Sequence, residues 1–544
     1  MFDIGNISRY LILVSEETKM EYNYICAIDI VYKSIVQVLV LALNYVKNGG
    51  NDMENYYDVA VVGGGPVGLM TACELAIQGV KVIVLERRLN RIRNSRALTL
   101  HPRSLELMAM RGIENRFLSR GKKSDTSHFA ALDTRLNFKN LDTDFPYTLF
   151  IPQSITEEIL EERALELGVD IKRGHTLKDI KQYETFVQLE IEQAETINKI
   201  EVPYVVGTDG ARSVVRELSH IPFNGTDTTT TAILGDVILE DVPDNPFFST
   251  SNINGLIIMV PIAPNVFRFA IVDPKNQTIP VHVAVTEKEL IDSIYSITGE
   301  HVQINSSIWL SRFGNATKLA NTYQHKRVFL AGDAAHIHFP AGGQGLNIGL
   351  QDAFNLGWKL GLAIKQKKYE SLLESYHFER HAVGKQFLKD VQAQEQLMIN
   401  FSNAGIELRE LFSHLLTYPE MNKDLAERVS GLGVIYSSMH TKEKHPLIGK
   451  RCTNLTISSQ NKKTYKLFAL MQDGKYILLI HPSYKEEIDK INIDSHTKVV
   501  VGEIQDYQLK NIDVILIRPD GHIAYIEYDE RKDCTDLKIK LNNF

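Results

Sequence analysis

Cysteine is scarce in this chain and never clustered. Cys26, Cys73, Cys452 and Cys534 stand far apart, with no CxxC and no metal-ligand spacing, a pattern that suits reduced thiols in a cytoplasm. Long apolar runs are lacking too. Ser34 to Val46 is the most apolar stretch near the start, and it falls short of the roughly 18 residues of a membrane span. A signal peptide is disfavoured because Glu16, Glu17 and Glu21 precede that run and no small-residue cleavage site follows it. No basic excess exists: 60 Lys and Arg face 67 Asp and Glu, a net charge of −7, which argues against a nucleic-acid partner. What remains is an ordinary globular composition, 44% hydrophobic and 23% charged. At 544 residues it exceeds one hydrophobic core.

Three motifs carry the chemistry. In "YDVAVVGGGPVGLMTACELAIQGVKVIVLERR", Gly63-x-Gly65-x-x-Gly68 follows a strand and opens a helix, and Glu86 ends the next strand. Gly63 allows the tight turn, Gly65 lets the backbone approach a pyrophosphate, and Gly68 lets helix pack on strand. The helix N-terminus then favours phosphate charge, and Glu86 can accept from ribose hydroxyls. At this point NAD and FAD both fit. The second motif, Asp209-Gly210-Ala211-Arg212-Ser213-Val214-Val215-Arg216 (DGxxSxxR), follows a strand, with Ser213 placed to cap a helix. In the third, "VFLAGDAAHIHFPAGGQGLNIGLQDAFNLGWKL", a buried strand ends at Gly332-Asp333. A carboxylate there can bind polyol hydroxyls and would repel phosphate. The loop beyond it lacks bulky side chains and enters a helix near Gly345, so its free N–H groups and helix dipole favour negative charge.

Together these motifs resemble those of the group A flavoprotein monooxygenases, the single-component FAD-dependent aromatic hydroxylases, from about Tyr56 to about Gln394. The resemblance implies an α/β fold. A Rossmann-like FAD-binding domain of the glutathione-reductase type, like that of para-hydroxybenzoate hydroxylase, would carry an inserted β-sheet substrate domain, a helical linker and a C-terminal thioredoxin-like domain. It also implies the site residues. Gly63, Gly65, Val67 and Gly68 would hold the ADP part of FAD, with Glu86 and Arg87 beside the adenosine ribose and Arg96 at the phosphates. Gln153 would lie on the ribityl-phosphate side, and Leu177, on the strand "DIKRGHTL", would offer a backbone contact to adenine. Asp209 belongs to the motif associated with both FAD and NADPH. Asp333 would bind ribitol, while Gly345, Leu346 and Asn347 would bring N–H groups to the flavin ring. Within the family, "WLSRFGNATKLANTY", "ESYHFERHAV" and the terminal "LIRPDGHIAY" look most like the rifampicin-monooxygenase and aromatic-polyketide hydroxylase branch.

The implied reaction is NADPH (or NADH) reduction of FAD, addition of O2 at flavin C4a, and transfer of OH from the hydroperoxide to an electron-rich ring. A bulky phenolic substrate is expected, with a rifamycin-type antibiotic as first candidate and antibiotic inactivation as the outcome. Another phenol or polyketide is the alternative. The enzyme would be cytoplasmic, a monomer or homodimer, with no membrane and no nucleic-acid partner. No residue emerges as a secure acid or base; Arg212, Arg216, His336 and His338 are polar groups expected near flavin or substrate. No metal is expected, since His336-x-His338 has no third ligand at a recognisable spacing. A disulfide reductase would need a redox cysteine pair and a second GxGxxG. A flavin-dependent halogenase would need WxWxIP, whereas the only tryptophans are Trp309 and Trp358. A non-catalytic FAD-binding sensor is the competing class, and ligand-stimulated NADPH oxidation separates it from an enzyme.

The layout expected is an N-terminal extension over 1–52, the FAD-binding domain's first part over 53–224, and the substrate sheet over 225–320. Its completion and a helical region would follow over 321–440, and a thioredoxin-like unit without CxxC over 441–544. Residues 1–52 read as an upstream start, with the domain beginning at Met53; a helical extension packed on the body is the alternative. The first reading predicts a GGAGG-like ribosome-binding string in the codons of Gly49 and Gly50. Sequencing the gene checks it, and other codons there overturn it.

Overall fold

The computed structural model describes residues 56–91, 97–241, 246–437, 445–459, 463–505, 509 and 512–527. The expected extension over 1–52, and Arg96, lie outside the described residues. From Tyr57 onward the chain forms one compact unit.

The short runs VAVV and VIVLE form β1 (Val59–Val62) and β2 (Val82–Glu86), each buried along its whole length. Near-continuous apolar sequence is what a strand covered on both faces requires. Between them lies helix α1 (Pro66–Ile77), which starts on a proline just after the glycine turn and ends at Gln78 and Gly79. With β3 (Asp170–Arg173), β4 (Tyr204–Gly207) and β5 (Val328–Leu330), these strands make a parallel sheet in the order β5-β4-β1-β2-β3. An antiparallel edge strand, Gln324–His325, closes it beside β5. The order places the loops after β1, β4 and β5 side by side at the sheet's C-terminal edge, where ligands of open parallel sheets bind.

Helix α2 (Gly345–Lys365) lies across α1, and two of its glycines set the approach. A Cβ on Gly357 would stand 2.3 Å from Glu74 Cβ, and one on Gly361 2.6 Å from Gln78 Cβ. Glycine costs a helix about 1 kcal/mol against alanine; here it permits contact that a methyl would block. Helix α3 (Leu372–Ile399) packs beside α2. Among the described residues, no helix is long and apolar enough to cross a membrane.

A second, antiparallel sheet runs Phe248–Asn252, Gly255–Ala263, Val266–Val272, Thr231–Leu239, Ile304–Gly314. Its two faces divide by alternation. Ile233, Val237, Ile257, Met259 and Phe269 pack under the helix Glu287–Thr298. Ala232, Leu256, Ile258 and Phe313 instead join a cluster with Phe339, Ala341 and Ile348 of the glycine-rich loop. The covering helix is an element that strand-like composition concealed. Thr286 caps it by accepting from Glu289 N–H, and Gly299 ends it at φ +74.

The segment 445–527 contains a four-stranded sheet, Thr497–Val501, Tyr476–Ile480, Val514–Ile517, Ile523–Glu527. Its first pair is parallel and the rest antiparallel. It is anchored by buried charge. Arg111 donates to both oxygens of Glu74 (2.8 and 2.7 Å), to Met471 O and to Pro519 O.

Candidate functional site

The β1–α1 turn is built by close approach. Gly63 sits at φ +110, and a Cβ on Gly68 would lie 1.9 Å from Gly63 O. Thr208, at the end of β4, ties the turn down by donating to Val62 O and Gly63 O, both at 3.0 Å. Gly65 differs: a Cβ there would meet nothing within 4 Å. Its backbone therefore faces open space directly before the N-terminus of α1, where N–H groups await an anion. Glu86 is buried, accepting from Gly64 N–H at 2.8 Å and from Arg88 N–H at 2.9 Å. Each carboxylate oxygen retains a lone pair for a hydroxyl. Arg87, next to it, is exposed.

The second motif orders itself. Asp209 accepts from the Ser213 hydroxyl and from Val215 N–H, and Ser213 caps the helix Val214–Leu218 by accepting from Arg216 N–H at 3.0 Å. Burial pushes the Asp209 carboxyl above its ordinary range. Arg216, expected near flavin or substrate, joins two loops. It donates to Ala334 O at 2.8 Å and Ala211 O at 3.0 Å, with its guanidinium 3.8 Å over the Phe223 ring. Arg212 is exposed.

The third motif turns at Gly332 (φ +62), against which the Val67 side chain packs, so the first and third motifs touch. Asp333 is exposed and has no hydrogen-bond partner among the described residues. The loop behind it hangs on Asp352 of α2. One oxygen accepts from Gly332 N–H (3.1 Å) and the His336 Nε2 (2.7 Å), the other from Arg380 Nε (2.6 Å). Against burial, the Arg380 guanidinium and the His336 hydrogen bond hold the Asp352 carboxyl below its usual range. His336 is thereby an anchoring group, and His338 donates to Phe339 O at 2.6 Å while burial lowers its pKa.

Asn347 has its side chain wholly engaged. It accepts from His101 N–H and the Ser104 hydroxyl (2.8 and 2.7 Å) and donates to Thr99 O and Gly343 O (3.1 and 2.9 Å). That leaves its backbone N–H, with those of Gly345 and Leu346, at the start of a 21-residue helix that has no side-chain cap. His101 clamps the same loop, with Nε2 donating to Gly342 O at 2.8 Å and Nδ1 3.1 Å from the Thr148 hydroxyl. Burial lowers its pKa to about 4. His101, Thr208, Asp352 and Arg380 had no part in the motif reading. Of these, Thr208, Asp352 and Arg380 stand within or beside the stretches quoted above.

Two expected residues lie farther along the chain. Gln153 opens the helix Gln153–Glu166; its Oε1 accepts from Ala97 N–H at 3.1 Å and its Nε2 donates to Glu157 at 2.8 Å. Leu177 is buried, but not on the strand beginning at Asp170: Gly174 at φ +71 breaks "DIKRGHTL" into two strands, and Leu177 belongs to the second, Thr176–Gln182.

An adenine dinucleotide of the flavin type needs an open backbone for its pyrophosphate, a carboxylate for its ribose, a free carboxylate for its ribitol and donors for an electron-rich ring edge. Gly65, Glu86, Asp333 and the start of α2 could supply these in turn, and three of the loops involved leave the same edge of one sheet. Phe313 of the antiparallel sheet meets Phe339 of the loop, their rings 5.7 Å apart in one apolar cluster.

Comparison with known proteins agrees in kind. Residues 56–391 match the FAD binding domain family, and residues 445–543 match the aromatic-ring hydroxylase C-terminal family. The chain is 42% identical over 484 residues to the uncharacterized aromatic compound monooxygenase YhjG of Bacillus subtilis, covering 88% of this chain and 96% of that protein. It is 36% identical over 485 residues to a rifampicin monooxygenase of Streptomyces venezuelae, covering 88% and 98% respectively. Among solved structures, the anhydrotetracycline hydroxylase OxyS of Streptomyces rimosus superposes with a TM-score of 0.81 at 34% identity, covering 90% of this chain and 99% of that one.

Two expectations follow from the site. Gly68→Ala should destabilise the protein by about 3 kcal/mol, because backbone must move. Gly65→Ala, at φ −79 with open space around it, should cost less than about 1 kcal/mol yet weaken FAD binding. Urea unfolding and flavin fluorescence distinguish the two. Separately, neutral buried His101 binds fewer protons when folded than when unfolded between its ordinary 6.5 and about 4. Stability should therefore fall as pH drops through that window, on the order of 3 kcal/mol from this group. His128 and His522, lowered to about 4 and about 3, act in the same direction. Unfolding curves of His101→Gln at each pH should show a shallower loss; an unchanged slope would refute the assignment.

Proposed function

The chain belongs to the group A flavoprotein monooxygenases, the FAD-dependent aromatic-ring hydroxylases, and we propose that its substrate is a bulky, electron-rich polycyclic phenol. The observation that carries this reading is the apolar, aromatic face of the antiparallel sheet turned toward the glycine-rich loop. Rifampicin and anhydrotetracycline, named for two relatives, are large fused aromatic compounds of that kind, and a rifamycin is the first candidate. Inactivation of an antibiotic by hydroxylation is the role this would serve.

In this reading, Gly63, Gly65, Val67 and Gly68 bind the ADP moiety of FAD, with Glu86 and Arg87 at the ribose and Gln153 toward the ribityl phosphate. Leu177 contacts adenine through its backbone. Asp209 acts by ordering its turn, and Asp333 binds ribitol. The N–H groups of Gly345, Leu346 and Asn347 stabilise negative charge on the flavin ring. Bound FAD would supply the electron relay from NAD(P)H to O2 and the transfer of one oxygen atom to the ring, the other leaving as water. The chain's own work is to bind substrate, exclude water and hold the loop still. Phe313, Phe339 and Ile258 supply dry contact area, and His101 and Asp352 fix the backbone that presents the donors.

The strand order supports a Rossmann-like sheet for residues 53–224 with completion by 321–440. The parallel pair followed by a hairpin in 445–527 supports a thioredoxin-like unit, and its sequence carries no CxxC for dithiol chemistry. Buried Cys73, in no disulfide among the described residues, supports a reducing, cytoplasmic setting.

Purified protein should be yellow with bound FAD and should oxidise NADPH faster in the presence of rifampicin, yielding a product heavier by one oxygen. If only small monocyclic phenols stimulate turnover, the substrate class fails while the family membership stands.

A further inference from the structure

We infer that the Arg518-Pro519-Asp520 turn of the C-terminal segment positions the loop at Gly332–Asp333, acting through Tyr436, Arg380 and Asp352; this rests on the reading of that loop as a flavin site. Two buried polar layers lie on α2 and α3. In the lower one, Arg518 donates to both oxygens of Glu379 (2.6 and 2.9 Å) and to Asp520, while Lys359 donates to Glu379 at 2.7 Å. Asn355 and the Trp358 indole N–H donate to Asp520 at 3.3 and 3.2 Å. The upper layer is Asp352 with Arg380, His336 and Gly332 N–H.

The layers are joined twice. Glu379 and Arg380 are consecutive on α3, and Arg380 Nη1 donates to the Tyr436 hydroxyl at 3.1 Å. The Tyr436 ring is itself held from the C-terminal side, with the Arg518 guanidinium 5.0 Å from its centre and the His522 ring 4.2 Å away. A rigid run therefore leads from Asp520 through Arg518 and Tyr436 to Arg380, then through Asp352 to Gly332 N–H, the amide beside Asp333. Burying so many charges is a poor way to gain stability, since an apolar core would often serve as well. Fixed geometry is what such a network provides. The C-terminal segment, which carries no CxxC, thereby sets where a carboxylate and a helix start stand.

Two variants test this. Tyr436→Phe deletes only the hydroxyl that accepts from Arg380, and Arg518→Met deletes the charge but keeps an apolar stem. Wild type, both variants and Arg518→Lys are compared by circular dichroism, by FAD affinity from flavin fluorescence, and by the visible absorption of bound flavin. Folded Tyr436→Phe and Arg518→Met should bind FAD about tenfold more weakly, with a shifted absorption band, and Arg518→Lys should recover part of both. Glu487→Gln, which breaks an exposed pair with Lys490 on the same segment, should leave both readouts unchanged. If Arg518→Met does not fold, Tyr436→Phe decides. Unchanged affinity and spectrum in folded Tyr436→Phe, or an equal change in Glu487→Gln, overturns the inference. Wild type that binds no FAD would instead overturn the cofactor site itself, and with it this inference.

Discussion

One buried carboxylate, that of Asp352, fixes the relation between the helices and the loop they carry. It accepts from a backbone amide, an imidazole and a guanidinium at once. A carboxylate with no access to water must have its lone pairs satisfied by fixed donors, so the Gly332 backbone has little freedom to drift. Everything that would touch a cofactor from this side, Asp333 and the amides at the start of α2, hangs from that arrangement. The loop itself is nearly without side chains and cannot hold its own shape; its order is imposed from behind by Asp352, His101 and Asn347.

The sequence showed most clearly what depends on local spacing. Gly63, Gly65 and Gly68 occupy the turn their spacing predicts, Ser213 caps the helix expected of it, and α2 begins at Gly345. Glu86 ends its strand as read. What stayed hidden depends on contacts between distant segments. Nothing near His101 announces that it clamps Gly342, 241 positions away. Nor does the second motif announce that the Arg216 guanidinium serves two carbonyls and an aromatic face. The break at Gly174 was present in the composition, since glycine between two polar residues marks a turn. The helix Glu287–Thr298 had its own signal in Thr286, Glu289 and Gly299, masked by the strands around it.

The C-terminal segment changes how the whole molecule is understood. Buried charge ties it in on two sides: Arg111, paired with Glu74 of α1, donates to Met471 O and Pro519 O, and Arg518 pairs with Glu379 of α3, itself paired with Lys359 of α2. These are contacts of a core and differ from the loosely polar surfaces at which independent domains usually meet. The segment and the parallel sheet consequently share their stability, and loosening one is expected to loosen the other.

The antiparallel sheet carries a different implication, for inheritance. Because neighbouring residues point to opposite faces, Ile257 answers to the helix beneath while Leu256 and Ile258 answer to the cluster that includes the loop. If the proposed substrate lies on that face, a lineage could alter every second residue of these strands and change what it oxidises while leaving intact the set packed under the helix.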